Sequence, residues 1–93
     1  MKLSYYFRTT KMTASNKALV ALAMLEGITS ITGLSEHSKI SVKQIKQYPL
    51  KIMIDNGVVT LLPTGSYVFA DHVEVDESEA RSVIAERLVR FTK

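Results

Sequence analysis

Residues 30–48 constrain the fold most, because they show the hydrophobic pattern of two short helices joined by a tight turn. Ser30 and Ser41 can cap these helices, since a serine hydroxyl accepts a hydrogen bond from a free backbone N–H in the first helical turn. The first helix is predicted to end near Ser38, with Lys39 in the turn. We expect apolar side chains to face inward at residues 31, 34, 40, 42, 45 and 48. The second helix would present four polar side chains outward: Lys43, Gln44, Lys46 and Gln47.

A longer helix is predicted ahead of this pair, over residues 16–26, which are rich in the strong helix formers Ala, Leu and Met. Ser15 can cap it, and Gly27 can adopt the left-handed conformation that ends a helix. Because the segment is apolar nearly all round, we expect it to be the central buried helix. Gly33, inside the next helix, is expected to allow close packing against the helix that follows.

Pro49 interrupts the second helix of the pair, because its ring lacks an N–H and opposes the carbonyl of Ile45. The helix therefore either stops at about residue 48 or kinks there and resumes through residues 50–54. Residues 55–57, Asp-Asn-Gly, are a strong turn signal. Two β-rich runs then follow, residues 58–62 and 66–70, around a short turn that contains glycine. This arrangement predicts a β-hairpin.

The two ends of the chain carry weaker patterns. Residues 1–13 alternate apolar and polar side chains, which is typical of a short strand, although a basic arm or a frayed terminus also fits. Residues 76–79 place carboxylates where the dipole of a C-terminal helix favours them. One apolar stripe follows that helix at helical spacing: Ala80, Val83, Ile84, Leu88 and Phe91. The stripe packs either on the chain's own domain or on a partner.

Composition and charge bound the function. Ninety-three residues suit one domain, and the absence of cysteine excludes disulfides, thiolate metal sites and a cysteine nucleophile. Residues 1–70 hold eight Lys/Arg and three Asp/Glu, a net charge of +5, whereas residues 71–93 have a net charge of −2. A basic body favours a polyanionic partner. The longest apolar run, residues 18–25, is too short to cross a bilayer, so we expect a cytoplasmic protein without a membrane partner.

Catalytic motifs are missing from the sequence. His37 and His72 are the only histidines, they do not have metal-ligand spacing, and no glycine loop could cradle a phosphate. The acidic residues between 71 and 79 are typical of a solvated linker and the first turn of a helix. We therefore expect no enzyme, no metal and no cofactor.

The order of three helices followed by a hairpin resembles the winged helix-turn-helix superfamily of DNA-binding transcriptional regulators. Residues 31–45, 55–59 and 65–70 carry the resemblance, which covers about residues 15–70. Residues 1–4 and 65–67 are also similar to the Rrf2-type branch, whose redox sensors use cysteines that this chain does not have. Small phage and plasmid regulators commonly have such a reduced form.

The resemblance implies an α+β fold: an N-terminal strand or arm at residues 1–14, a winged helix-turn-helix domain at residues 15–70, and a linker with a C-terminal amphipathic dimerisation helix at residues 71–93. The sequence departs from the family's pattern at three positions. Lys39 stands where the turn usually holds glycine, Ser35 replaces the usual alanine, and Pro49 shortens or kinks the reading helix.

The function implied is sequence-specific binding of double-stranded DNA by a homodimeric regulator, such as a repressor, on the nucleoid. Residues 42–48 would enter the major groove. The expected DNA-contacting residues are Ser30, Thr32, Ser41, Lys43, Gln44, Lys46, Gln47, Thr64, Gly65 and Ser66. The expected dimer contacts are Ala80, Val83, Ile84, Leu88 and Phe91. The alternative is a winged-helix module that binds a host or regulatory protein without reading DNA.

Overall fold

The computed structural model describes residues 1–10 and 16–91, apart from the side chains of residues 90 and 91. These residues form an α+β fold of short helices and one two-stranded antiparallel hairpin. In chain order the elements are α1 (Leu3–Thr9), α2 (Asn16–Leu25), α3 (Ile31–Ser38), α4 (Val42–Gln47), α5 (Pro49–Asp55), β1 (Val59–Leu61), β2 (Tyr67–Phe69) and α6 (Glu77–Phe91). The predicted α+β class is confirmed.

The central position predicted for the first long helix is confirmed in α2. Ala18, Val20, Ala21 and Ala23 are fully buried, and the helix packs against α3, α5 and α6. Gly27 follows the helix with φ of 92°, a left-handed conformation that costs glycine little. The predicted cap at Ser15 lies outside the described residues.

The caps predicted for the next two helices are confirmed. The Ser30 hydroxyl accepts a hydrogen bond from the Gly33 N–H at 3.0 Å, and the Ser41 hydroxyl accepts one from the Gln44 N–H at 3.2 Å. Gly33, however, does not serve the packing of the following helix. A Cβ at this position would lie 2.7 Å from Cγ2 of Ile28, so the close approach is to the segment that precedes α3.

Pro49 divides the predicted reading helix into α4 and α5. Tyr48 separates the two helices with φ of −121° and ψ of −80°, and Pro49 becomes the first residue of α5, where its missing N–H costs nothing. The Tyr48 N–H still donates to the Gln44 carbonyl at 3.1 Å, and the Ile52 N–H donates to the Tyr48 carbonyl at 2.9 Å. The chain therefore kinks and resumes, the second of the two predicted alternatives.

The predicted hairpin is confirmed. β1 and β2 pair antiparallel, with Thr60 opposite Val68, and Gly65 supplies the turn with φ of 91°. The Tyr67 N–H donates to the Thr29 carbonyl at 2.8 Å. This bond holds the connection between α2 and α3 beside β2, so the hairpin is fixed to the helical core.

The strand predicted at the N-terminus is wrong over residues 3–9, which form α1. Leu3 and Phe7 are one helical turn apart and both fully buried, whereas Tyr5 between them is exposed. Residues 3, 5 and 7 alternate with polar residues as in a strand, but Tyr5 faces solvent while Leu3 and Phe7 face the core. Residues 11–14 of the predicted arm lie outside the described residues.

The dimer contact predicted on the C-terminal helix is also corrected. Ala80 and Ile84 are fully buried and Val83 nearly so, because α6 packs against α1 and α2 of the same chain. Leu88 packs partly buried against the same core, and the Phe91 side chain lies outside the described residues. The packing of α6 on α1 was not predicted, because the pattern of residues 1–13 is typical of a strand and not of a helix. Of the two alternatives for this stripe, packing on the chain's own domain is therefore confirmed for Ala80, Val83, Ile84 and Leu88.

The N-terminus is fastened to the segment before α6. The Leu3 N–H donates to the Glu74 carbonyl at 2.9 Å, and the Glu74 N–H donates to the Met1 carbonyl at 2.8 Å. The Asp76 carboxylate accepts hydrogen bonds from the backbone N–H and the hydroxyl of Ser4, at the first turn of α1. The described parts of both chain ends thus belong to the same core as residues 16–70.

The hydrogen bonds between Ser4 and the Asp76 carboxylate make the stability of the protein depend on pH. Burial alone would raise the pKa of the Asp76 carboxyl, but the hydrogen bonds from Ser4 and the charge of Lys2 bring the pKa below its ordinary value. A carboxyl with a lowered pKa stabilises the folded state above its unfolded pKa and loses that contribution as pH falls. We expect the free energy of unfolding to fall less between about pH 5 and about pH 2 in Asp76→Asn than in the unmodified protein. Urea titrations across this range test it, with Asp71→Asn as the control, and equal acid sensitivity of Asp76→Asn and the unmodified protein would contradict it.

Candidate nucleic-acid interface

α4 projects from the core on a single anchor. Ile45 is fully buried, whereas the four side chains predicted to point outward are all exposed: Lys43, Gln44, Lys46 and Gln47. Lys43 lies three residues before Lys46 and four before Gln47, so these three side chains share one helical face. The predicted outward surface of α4 is therefore confirmed.

Serine hydroxyls fix the turn between α3 and α4. Ser35 donates its hydroxyl to the Ile40 carbonyl at 2.6 Å, and Ser38 donates to the Leu34 carbonyl at 2.6 Å while accepting from the Ile40 N–H at 3.3 Å. Ser35 thus binds the turn directly. These bonds set the direction in which α4 leaves α3.

Lys39 occupies the turn in the left-handed conformation, with φ of 64°. A residue with a Cβ is strained there by about 1–2 kcal/mol relative to glycine. Glycine also increases the conformational entropy of the unfolded chain, which offsets part of the gain from relieved strain. We therefore expect Lys39→Gly to raise the free energy of unfolding by about 0.5–1 kcal/mol. Lys39→Ala removes the same charge, keeps the Cβ and should change stability by less than about 0.5 kcal/mol. Chemical denaturation measures both, and equal effects of the two variants would rule out the strain argument.

The charge around α4 is positive. Residues 37–54 contain Lys39, Lys43, Lys46 and Lys51 and no acidic residue. Lys51 pairs with Asp55 at 3.1 Å, whereas the other three lysines are exposed and pair with no carboxylate in the described part of the chain. This local excess of positive charge favours a polyanion at the α4 surface.

The remaining predicted contacts lie on two other elements. Ser30, Thr32 and Ser41 are exposed, and the two serine hydroxyls keep a hydrogen to donate while their oxygens cap helices. Thr64 and Gly65 are exposed at the hairpin tip, and Ser66 is partly exposed. The structure thus groups the α3 and α4 residues on packed helices, and it places the hairpin residues on a separate, uncharged tip.

Two residues that the sequence assigned to the interior are at the surface. Val42 is 40% exposed and Tyr48 is 57% exposed, although both fit the apolar spacing of the predicted inner face. The signal that could have found them is Pro49, which ends α4 after two turns and leaves little of the helix to cover. The accessible surface of α4 therefore includes one aliphatic and one aromatic side chain besides the polar ones.

Lys17 is basic but does not belong to this surface. It is buried, its ammonium donates to the Thr10 hydroxyl at 2.9 Å, and it lies 5.9 Å from the centre of the Tyr6 ring. Burial first, and the charge of Arg87 second, lower the pKa of Lys17. Burial raises the pKa of Tyr6, whose hydroxyl donates to the Asn56 side chain at 2.8 Å. These hydrogen bonds join α1 to α2 and to the end of α5, and the Arg87 guanidinium of α6 donates to the Thr10 carbonyl, so the network is structural.

Other kinds of site find little support in the described residues. Across residues 1–10 and 16–91, no three His, Asp or Glu side chains are placed to hold a metal ion. A shallow cavity of about 200 Å³ is lined by Arg8, Val83, Glu86 and Arg87, on the side of α1 and α6. Among the helices described, none has both the length and the apolar character needed to cross a bilayer.

Comparison with known proteins adds no relative: no family model matches the chain, and neither a curated protein nor a solved structure is detectably similar to it.

Proposed function

We propose that this protein is a small winged helix-turn-helix transcriptional regulator that binds double-stranded DNA sequence-specifically, with α4 in the major groove. The observation that carries the proposal is the combination at α4 of a single buried anchor, Ile45, with exposed lysines and glutamines around it. Ile45 anchors this helix in the core, whereas the other five side chains of α4 are exposed. The serine bonds of the preceding turn hold it in one orientation.

The side chains of α4 suit both the backbone and the bases of DNA. Lys43 and Lys46 can neutralise phosphates or donate to guanine, and Gln44 and Gln47 can pair with the donor and acceptor of adenine. Ser30, Thr32 and Ser41 can donate to phosphate oxygens, which positions the protein without reading sequence. Thr64, Gly65 and Ser66 would touch the DNA backbone or minor groove with little electrostatic contribution.

The short length of α4 is compatible with this role. Six residues rise about 9 Å, less than the width of about 12 Å of the major groove. A recognition helix contacts base edges mainly through its N-terminal residues. Pro49 therefore redirects the chain only after the residues that would read bases.

The order of elements supports the winged-helix assignment. α2, α3 and α4 pack in succession and the hairpin follows α5, while the bond between Tyr67 and Thr29 fixes the hairpin to the helical part. We infer a homodimer that would bind half-sites about 34 Å apart. Ala80, Val83 and Ile84 would not form its contacts, because they are buried within one chain. Such a regulator acts in the cytoplasm, on the nucleoid.

Selection from a pool of randomised duplexes, followed by titration of the selected and scrambled duplexes at several salt concentrations, tests the proposal. We expect selected duplexes to bind at least about 1,000-fold more tightly than scrambled ones, with affinity that falls steeply as salt rises. Equal binding of both would contradict sequence-specific reading, and no binding at low salt would contradict DNA binding altogether.

One observation favours a second candidate, a protein-interaction module. Residues 58–70 carry no charged side chain, and Leu61 and Leu62 are exposed on the hairpin. The centres of protein interfaces are depleted of charge in this way. If the duplex selection yields no bound DNA, a regulatory or host protein that binds the unmodified chain but not Leu61→Ser would support this candidate.

A further inference from the structure

Val42 occupies a position on α4 that its packing does not explain. It is the first residue of the helix, directly after the Ser41 cap, and 40% of its surface is exposed. The helix has its buried anchor at Ile45, three residues later. Val42 is therefore covered only in part by the rest of the protein, and a β-branched residue is less favourable in a helix than alanine.

The surroundings of Val42 are basic and polar. Lys46 follows it by one helical turn, so the two side chains are neighbours on the helix surface. Lys43 is adjacent in sequence, and no acidic residue occurs between residues 37 and 54. The partner that complements this charge is a polyanion, and the part of it facing Val42 must be apolar for the isopropyl group to gain from contact. The major groove of DNA provides one such group, the 5-methyl of thymine.

We propose that Val42 is a specificity-determining residue that contacts the 5-methyl group of a thymine in the major groove. This inference rests on the proposed DNA binding. It places an apolar contact at the N-terminal end of α4, the part of a recognition helix that approaches base edges most closely. The lysines then supply attraction to the backbone, and Val42 adds a preference for thymine at one position.

Replacement of thymine by deoxyuridine removes only this methyl group, which makes the test specific. In duplexes selected from a randomised pool, each thymine is changed to deoxyuridine in turn, and binding is titrated by fluorescence anisotropy. We expect one position at which deoxyuridine weakens binding of the unmodified protein by about fourfold, the effect of burying one methyl group. Val42→Ala removes both γ-methyl groups, which reach farther from the helix than the Cβ that remains, so its ratio of affinities for the thymine and deoxyuridine duplexes should fall to about one at that position.

Ile52→Ala is the matched control, because Ile52 is also an aliphatic residue with 40% of its surface exposed but lies on α5, beyond the break at Tyr48. We expect it to keep the fourfold preference. Thermal melting of Val42→Ala verifies that the variant is folded, as expected for an exposed helical position.

The outcomes separate the inference from the function on which it rests. If the unmodified protein selects and binds duplexes but no thymine position responds to deoxyuridine, or if Val42→Ala keeps the preference, the role of Val42 is refuted while DNA binding stands. If no duplex is bound by the unmodified protein, the proposed function itself fails and the inference fails with it.

Discussion

Replacing both Lys43 and Lys46 by alanine is expected to weaken binding to a selected DNA duplex by about 50-fold at 0.1 M salt. Each phosphate contact releases about 0.9 counterion, so the loss of two contacts should also reduce the slope of log affinity against log salt by about two. Both lysines are exposed on one face of α4, and alanine is a better helix former than lysine. The fold should therefore be unaffected, and anisotropy titrations at four or more salt concentrations measure both quantities.

The matched control removes the same charge from other places. Lys2→Ala with Lys51→Ala lowers the net charge by two, but Lys2 lies at the N-terminus and Lys51 pairs with Asp55 on α5. We expect this variant to keep most of the affinity and the salt slope. If the two double variants lose affinity equally, attraction by total charge would replace specific contact at α4 as the explanation.

Ile84→Asp is expected to unfold the protein. Ile84 is fully buried where α6 packs on α1 and α2, so the substitution removes core contacts and buries a carboxylate without a partner. The combined cost exceeds about 4 kcal/mol, most or all of the stability of a domain of this size. Far-UV circular dichroism at 25 °C should show loss of helical structure, and thermal melting should show no cooperative transition.

The same substitution distinguishes a core role from a dimer contact. If the stripe on α6 formed an exposed dimer interface, Ile84→Asp would give a folded monomer with nearly unchanged melting, visible by light scattering. Ala85→Asp introduces the same carboxylate one residue later, at an exposed position, and should remain folded. A folded monomeric Ile84→Asp variant would overturn the packing of α6 described above.

Locally determined features were predictable from the sequence. The caps at Ser30 and Ser41 depend on a hydroxyl and an N–H three residues apart, and the hairpin depends on two β-rich runs around a glycine turn. In each case both interacting groups lie within a few residues of each other, so a short stretch of sequence contains everything needed to predict the interaction. The end of α3 at Lys39 followed in the same way.

Features that depend on distant partners were not predictable. In residues 3–9, a helix and a strand both place Leu3 and Phe7 on one side, and the choice is decided by α6, about 70 residues later. The stripe on α6 shows that a helix has an apolar face but does not identify what covers it. The sequence therefore leaves both alternatives open for this stripe, the chain's own domain and a second copy of the chain.

The candidate site was predictable in its polar part and not in its apolar part. Lys43, Gln44, Lys46 and Gln47 were expected outside because polar side chains are rarely buried without a partner. Val42 and Tyr48 were assigned to the interior by helical spacing alone, which assumes that the core follows the helix along its length. Because α4 ends before Pro49, only Ile45 reaches that core.

Titration of the isotopically labelled protein with a selected duplex, followed by amide NMR spectra, shows whether the α4 surface binds duplex DNA. We expect the largest shifts at residues 41–47, with smaller shifts at residues 30–32 and 64–66 and almost none in α1 and α6. Shifts concentrated on α1 and α6, or no shifts at saturating duplex, would contradict it.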